Sequence, residues 1–260
     1  MGLFWRIRSL WNYWRKSVSR HGVHSPFVFE FIHYVMSPMH FYVFDELAEI
    51  RSTMLRDDRK LNVLDLGAGS RKGNLSKRSI SDIARISSSP EVTSQVLFRL
   101  INHYGLKKQI EIGSSLGLNS LYLAGCSSVN ELTTLEGSPE IAKIARENFA
   151  KASNINLVEG EFSETLPGVL ASYKSIDFAF VDGNHQEEPT WEYYEELLKK
   201  VHPGAVVVFD DIHWSPGMER VWKRIVNDSR NTLTIDWYRL GFVFFRDGIA
   251  KQHFVLKQRP

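Results

Sequence analysis

The sequence has very little cysteine and no long apolar run. Cys126 is the only cysteine among 260 residues. An intrachain disulfide is therefore excluded, which argues against a small secreted fold held together by disulfides. No apolar stretch approaches the ~20 residues that a membrane-spanning helix needs. The N-terminus is basic, but charges interrupt it too often for the apolar segment of a signal peptide. We therefore expect a cytoplasmic protein.

Acidic residues are missing from the first 29 positions, which carry five basic side chains, although the whole chain has a net charge of only +2. A charge this small argues against a general polyanion-binding protein. Hydrophobic residues make up 43% of the chain. That fraction supports a buried core and argues against global disorder.

Residues 3–18 are predicted to form an amphipathic helix whose apolar side chains share one face. That face holds Leu3, Phe4, Ile7, Leu10, Trp11, Trp14 and Val18. Tryptophan beside arginine is typical of a helix that lies in a membrane interface. The same stripe could instead dock on the protein's own core, and a homodimer through the N-terminal helices stays open. Nucleic-acid binding is not expected, because no recognised binding module follows the basic segment.

From Lys108 onward, short apolar strands alternate with helices, which predicts a parallel sheet covered on both faces. The expected fold is a Rossmann-like, doubly wound α/β sheet of about seven strands, mostly parallel, with a terminal antiparallel strand. Residues 1–88 are expected to form an N-terminal helical extension, and residues 89–260 the main domain. The predicted strands are Gln109–Ile112, Glu131–Leu135, Ile155–Val158, Ile176–Val181, Ala205–Phe209, Thr232–Trp237 and Phe242–Phe245.

Two glycine-containing loops compete for a nucleotide-like cofactor, and the second is favoured. The first, Gly67-Ala68-Gly69, runs into a polar segment that is poorly suited to a helix. The second, Gly113 to Gly117, follows a predicted strand and opens an apolar helix. The next strand ends in Glu136, a carboxylate placed to accept hydrogen bonds from both ribose hydroxyls. We therefore expect the second loop, and not the first, to bind the cofactor.

The Glu-x-Gly-x-x-x-Gly pattern of residues 111–117 resembles the motif of class I S-adenosylmethionine methyltransferases. Asp182-Gly183-Asn184-His185 and Asp210-Asp211 are similar to the fourth- and fifth-strand ends of the catechol O-methyltransferase-like group, closest to its bacterial Asp-Gly-x-His branch. The resemblance covers about residues 85–246. It implies that S-adenosylmethionine is the cofactor. The residues implied to bind it are Glu111, Gly113, Ser115, Gly117, Asn119, Ser120, Glu136, Glu161, Phe162 and Asp182.

Three carboxylates are expected to converge, because Asp182, Asp210 and Asp211 end neighbouring parallel strands. Without compensation they would raise one another's pKa. A divalent cation would resolve this, and oxygen-only ligands favour Mg²⁺ or Ca²⁺. The resembled group binds a metal at an equivalent cluster, but it commonly has Asp-Asn where this chain has Asp210-Asp211. The alternative is that Asp182 contacts the cofactor while Asp210 and Asp211 cap the next helix.

The resemblance also implies that His185 acts as general base, three residues after the catalytic candidate Asp182. A neutral imidazole can take a hydroxyl proton as a methyl group transfers. His213 and Trp214 are expected to shape the acceptor pocket.

The predicted function is methylation of a small hydroxylated, sugar-linked or lipid-linked acceptor. An NAD-linked oxidoreductase is the enzyme alternative, disfavoured by the glycine spacing. The second alternative is a non-catalytic protein that binds a cofactor or associates with a membrane.

Overall fold

The computed structural model describes residues 3–65, 74–128 and 131–258. The N-terminal part is helical except for one hairpin, and its second helix continues as a π-helical turn, Ile32–Met36. Its elements are α1 (Leu3–Lys16), α2 (Pro26–Phe31), α3 (Val43–Met54), β1 (Lys60–Asp65), β2 (Asn74–Ser79), α4 (Ile80–Ile86) and α5 (Glu91–Tyr104). Within the described ranges, no helix is both long and apolar enough to cross a membrane.

The rest of the chain alternates between strands and helices, as predicted. In chain order these elements are β3 (Lys108–Ile112), α6 (Leu118–Ala124), β4 (Glu131–Glu136), α7 (Pro139–Asn148), β5 (Ile155–Glu159), α8 (Phe162–Ala171), β6 (Ile176–Val181), α9 (Glu187–Leu198), β7 (Val201–Phe209), α10 (Pro216–Asn227), β8 (Leu233–Trp237), β9 (Leu240–Phe244) and β10 (Gln252–Val255).

Eight of these strands form one sheet in the order β10-β8-β9-β7-β6-β3-β4-β5. Strands β7, β6, β3, β4 and β5 are parallel, whereas β9 runs antiparallel to both β7 and β8. The chain winds outward from β3 to β5 and then returns to β6 on the other side of β3. This switch point opens a crevice at the carboxyl ends of β3, β4 and β6, where such sheets bind ligands. The predicted Rossmann-like fold is confirmed.

Alternate residues of the central strands pack on opposite faces of the sheet, as strand geometry requires. Val206 and Val208 belong to the hydrophobic core that also contains Phe31 of α2. Val207 lies in the core on the other face, together with helices α8 to α10. The Phe31 ring lies 5.0 Å from that of Phe242 on β9. The helices within residues 26–54 therefore pack onto the sheet and share its core.

Helix α1 packs on the rest of the protein through the face that holds Ser9 and Tyr13, and its apolar stripe faces outward. Ser9 and Tyr13 are buried, and the Tyr13 hydroxyl donates a hydrogen bond to the carbonyl of Leu256. Five members of the stripe are exposed, with Phe4 at 92%. These are Phe4, Ile7, Leu10, Trp11 and Trp14. The alternative in which this stripe docks on the protein's own core is therefore not what the structure adopts.

Three short strands were missed from the sequence. Strands β1 and β2 form a separate antiparallel hairpin within the predicted helical extension, so that extension is not purely helical. The β2 segment, Asn74–Ser79, is polar and shows no alternation of apolar residues. Strand β10 is a four-residue edge strand paired with β8. The Gly67-Ala68-Gly69 loop lies outside the described residues, but β1, which precedes it, is not part of the main sheet.

Candidate active site

A cavity of about 350 Å³ lies at the carboxyl ends of β3, β4 and β6. The β1–β2 hairpin and α4 form its other wall, through Val63, Arg78 and Ile83 among others. Seven of the residues predicted to bind cofactor or to take part in catalysis line it: Gly113, Ser115, Glu136, Glu161, Phe162, Asp182 and His185. The structure therefore brings together side chains that are as far as 72 positions apart in the sequence.

The loop after β3 makes its turn through glycines with positive φ. Gly113 has φ +99° and Gly117 φ +78°, and Ser115 between them also adopts a left-handed conformation. A Cβ atom at Gly113 would overlap the carbonyl oxygen of Asp182. At Gly117 it would overlap the Phe149 ring. Gly113 therefore lets the loop lie against β6, while Gly117 lets α6 pack close to Phe149.

Glu136 at the end of β4 is held in place by backbone amides. Its carboxylate accepts hydrogen bonds from the amides of Ser115, at 2.8 Å, and Ser138, at 2.9 Å. The side chain is largely buried, and burial raises its pKa to about 7. A carboxylate anchored on two sides in this way has little freedom to turn away from the cavity that it lines.

Glu111, Asn119 and Ser120 are brought together beneath the cavity instead of lining it. Glu111 is fully buried and accepts hydrogen bonds from the Asn119 amide, at 2.8 Å, and the Ser120 hydroxyl. The Thr134 hydroxyl of β4 also donates to it, at 2.6 Å. Burial raises the pKa of Glu111, although the three donors oppose that shift. This network ties β3, β4 and the start of α6 together, and so fixes the loop between them.

Glu161 and Phe162 lie where β5 passes into α8, and both line the cavity. The Phe162 ring packs on the backbone of Gly183, where a Cβ atom would come within 2.6 Å of it. The same ring makes an edge contact with Tyr193, at 6.2 Å between centroids. Phe162 and Tyr193 therefore form an aromatic part of the cavity wall, next to the end of β6 that Asp182 follows.

Asp182 is the carboxylate of the predicted acidic cluster that lines the cavity. Its Oδ2 accepts a hydrogen bond from the Ser89 hydroxyl at 2.9 Å. Burial and the charges of Asp210 and Asp211 raise its pKa well above the usual range. The pKa of Asp211 is raised as well, by burial and by Asp210. The three acids therefore converge at one place, as expected for residues that follow adjacent parallel strands.

Arg239 compensates the negative charge of this cluster. Its Nε and Nη2 donate to the two oxygens of Asp210, at 2.8 and 2.7 Å. Nη2 also lies 3.6 Å from Asp211. Asp210 is fully buried. Both of its oxygens are therefore turned to a guanidinium, and the residues do not fit a divalent cation. In the described ranges, no three His, Cys, Asp or Glu side chains are grouped to hold a metal.

His185 lies at the cavity wall with its Nε2 3.5 Å from Oδ1 of Asp182. The residue has a positive φ of +42°, and its neighbour Asn184 has +64°. Such conformations are costly for residues other than glycine, and they tend to occur at functional sites. The other positive-φ residues of this kind in the described part, Ser115, Asp211 and Tyr238, lie in the cavity wall or next to Asp210 and Arg239.

His213 and Trp214, expected to shape the acceptor pocket, do not line the cavity. His213 bridges Asp236, at 2.8 Å, and Glu219, at 3.0 Å. Burial lowers the pKa of His213, but its bonds to the two acids outweigh burial and raise it above the ordinary value. Trp214 is half exposed beneath the Arg6 guanidinium of α1. The His213 ring also makes an edge contact with Tyr13 of α1, so both residues connect α1 to the rest of the protein.

Ser89, Tyr193 and Arg239 belong to this site but were not predicted from the sequence. Phe209 of β7 pairs with Gly241 of β9, so the turn just before β9 lies beside the acidic strand end. A basic residue in the turn between the last two predicted strands was the available signal. Its position beside Asp210 follows only from the pairing of β7 with β9 and not with β8, and the sequence does not predict that pairing.

Comparisons with known proteins agree with this architecture. Residues 110–212 match the family model of a methyltransferase domain. The chain is similar to the O-methyltransferase imqG of Aspergillus flavus, with 26% identity over 116 residues, 42% of this chain and 46% of the relative. It is 31% identical over 137 residues to tricin synthase 2 of Oryza sativa subsp. japonica, 49% of this chain and 45% of the relative. The chain thus spans just under half the length of these curated relatives.

A solved structure shows the same fold. An O-methyltransferase from Bacillus cereus, crystallised with S-adenosylhomocysteine (SAH), superimposes with a TM-score of 0.53 and 21% identity. The match covers 84% of this chain and 96% of that protein. Together, the comparisons confirm the predicted class. Residues 110–212, from β3 to just after the end of β7, therefore form a methyltransferase domain.

Proposed function

We propose that this protein transfers a methyl group from S-adenosylmethionine to a hydroxyl oxygen of a small acceptor. The observation that carries the proposal is the single cavity wall shared by Gly113, Ser115, Glu136, Asp182 and His185. A sugar-linked or lipid-linked hydroxyl falls within the same proposal.

The cavity suits a polar cofactor such as S-adenosylmethionine. The hydroxyl oxygens of Ser88, Ser115 and Ser138 are buried and have no hydrogen-bond partner among the described residues. Buried polar atoms without partners are rare in proteins, and a ligand is one way to satisfy them. Glu136 would hold the ribose hydroxyls, and Phe162 would pack against the adenine. Gly113 lets the loop after β3 lie against the Asp182 backbone, which holds the loop at the cavity wall.

When bound, S-adenosylmethionine supplies an electrophilic methyl group: its carbon–sulfur bond breaks as the acceptor oxygen–carbon bond forms, and SAH leaves. The protein has to orient the acceptor oxygen and remove its proton. Orientation alone supplies a large part of the rate enhancement in such transfers. His185 is the candidate base, because it lies in the cavity wall beside Asp182. The Asp182 carboxylate would stabilise the imidazolium that forms.

Isothermal titration calorimetry with SAH tests the cofactor assignment. We expect wild type to bind SAH, and Glu136→Ala to bind about tenfold to hundredfold more weakly because it loses charge-assisted hydrogen bonds. Glu188→Ala, at an exposed acidic residue of α9, is the control and should bind like wild type. Failure of wild type to bind SAH would redirect the search to NAD, the ligand of the oxidoreductase alternative.

A second part of the proposal is that α1 contacts an anionic membrane surface. Its outward stripe exposes Trp11 and Trp14, at 61% and 62%. The helix also carries Arg6, Arg8, Arg15 and Lys16 and no acid. Tryptophan and basic residues together favour the interface of anionic lipids. Tyr13 of this helix contacts Tyr238, the chain neighbour of the cavity residue Arg239.

Sedimentation with vesicles tests this contact. We expect binding to vesicles of phosphatidylglycerol and phosphatidylcholine, and little binding to phosphatidylcholine alone. The double variant Trp11→Ser, Trp14→Ser should lose binding. Tyr42→Ser, an 81% exposed aromatic residue outside α1, should retain it. If vesicles are not bound and light scattering shows a dimer that the Trp variant disrupts, the stripe is a homodimer interface and the membrane proposal fails.

A further inference from the structure

Arg239 is placed against the acidic strand end by the order of the sheet. Phe209 of β7 is paired with Gly241 of β9, which brings the β8–β9 turn beside Asp210. The Arg239 side chain is about one third exposed, whereas Asp210 is fully buried. The guanidinium thus covers the carboxylate from the cavity side. Bidentate contacts of this kind fix the plane of the guanidinium as well as its position.

The guanidinium still has donors to offer. Its Nε and one Nη2 proton are directed at Asp210, and Nη2 is also the atom closest to Asp211. Nη1 makes no hydrogen bond to any described residue, and Arg239 lines the cavity together with Asp182 and His185. Burial lowers the pKa of Arg239, but the three nearby aspartates outweigh it, so the side chain stays charged.

We infer that Arg239 takes the place of a divalent cation at this strand end and holds, through Nη1, an oxygen of the acceptor next to the one that is methylated. This inference rests on the proposed function and names an acceptor class, one with two neighbouring oxygens such as a diol or hydroxy-carbonyl. Arg239 would orient this second oxygen while His185 receives the proton of the first. Catalysis would therefore need no metal.

Manganese(II) is the probe for the cation position, followed by its electron paramagnetic resonance signal. We expect no saturable Mn²⁺ site in wild type at millimolar concentrations. Arg239→Gln removes the guanidinium from a cluster of three acids, and we expect it to gain one Mn²⁺ equivalent. That site should disappear again in the double variant Arg239→Gln, Asp210→Asn. One Mn²⁺ equivalent in wild type that Asp211→Asn abolishes would overturn the inference, and so would a folded Arg239→Gln variant that gains none.

Arg239→Lys covers the case in which Arg239→Gln does not fold, because it keeps the charge and loses the forked geometry. It should exclude Mn²⁺ like wild type. Catechol, added to the SAH complex and followed by saturation-transfer NMR, probes the acceptor contact. We expect catechol to bind wild type and to bind Arg239→Lys at least tenfold more weakly, with unchanged SAH affinity. Equal binding to both proteins, or no binding to wild type, would overturn the acceptor contact.

The two proposals fail in different ways. SAH binding tests the cofactor site and does not involve Arg239. If SAH does not bind, the proposed function is wrong whatever Mn²⁺ does. If SAH binds and wild type also holds Mn²⁺ at the acidic cluster, the methyltransferase proposal stands and only the role of Arg239 falls.

Discussion

The backbone of Gly113 lies directly against the carbonyl oxygen of Asp182, with no space for a side chain between them. This contact joins the cofactor loop after β3 to the acidic end of β6. The two strands are adjacent and parallel, and the Asp182 amide donates to the carbonyl of Ile112 at 2.9 Å. Any movement of one loop is therefore transmitted to the other.

Gly113→Ala should destabilise the protein and impair SAH binding together. The residue has a positive φ, for which a non-glycine residue incurs about 1–3 kcal/mol, and the overlap with Asp182 adds to that cost. Thermal unfolding and SAH calorimetry measure the two effects. The matched control is Gly168→Ala inside α8, where the added Cβ meets no atom within 4 Å. Alanine favours a helix over glycine by about 1 kcal/mol, so this control should be neutral or slightly stabilising. Equal behaviour of the two variants would contradict the close-approach argument.

SAH affinity should rise with pH around neutrality because of Glu136. Burial raises the pKa of this carboxyl to about 7 in the free protein. Only the ionised form can accept hydrogen bonds from both ribose hydroxyls, so binding favours deprotonation. We expect binding to be about tenfold weaker at about pH 6 than at about pH 8. Calorimetry at both pH values checks this, and Glu136→Gln should bind more weakly with a flatter profile. A wild-type affinity that does not change with pH would exclude this role for Glu136.

His185→Ala should lower turnover by about 10²- to 10⁴-fold, the usual contribution of a general base. SAH affinity should stay nearly unchanged, because the imidazole is not among the groups assigned to the cofactor. Steady-state kinetics with any accepted hydroxyl compound, alongside SAH calorimetry, separates the two quantities. His202→Ala is the control. That histidine pairs with Asp177 at the start of β6, the end of the strand away from the cavity. Unchanged turnover in His185→Ala would remove this residue from the mechanism.

His213 should contribute to stability mainly at low pH. Its pKa is raised in the folded state by Asp236 and Glu219, which outweigh burial. A raised histidine pKa stabilises fully below the unfolded value of about 6.5 and loses that effect as pH rises through the folded pKa. Urea unfolding of wild type and His213→Gln should therefore show a gap that shrinks as pH rises. The same comparison with exposed His24→Gln should show no such gap. A gap that widened with pH would mean that His213 acts as a neutral hydrogen-bond partner.

The main strands could be predicted because their sequences carry enough information locally. β6 was predicted with its observed bounds, Ile176–Val181, since its apolar residues are followed by a charged turn. The predictions for β4 and β5 each stopped one residue short of the observed strand end, because both strands close on a charged glutamate. The placement of Gly113, Glu136 and Asp182 in one wall followed from these bounds, because carboxyl ends of adjacent parallel strands meet at the same edge.

The sequence by itself thus determined the alternation of strands and helices, the cofactor loop, and the end of the sheet at which the site lies. These depend on local patterns and on the handedness of parallel connections. Only the tertiary structure decided that α1 turns its apolar stripe outward, because burial depends on which surface a helix meets. It also decided that Arg239 covers Asp210. That contact exists because β9 inserts between β7 and β8, a pairing between distant segments that no local periodicity encodes.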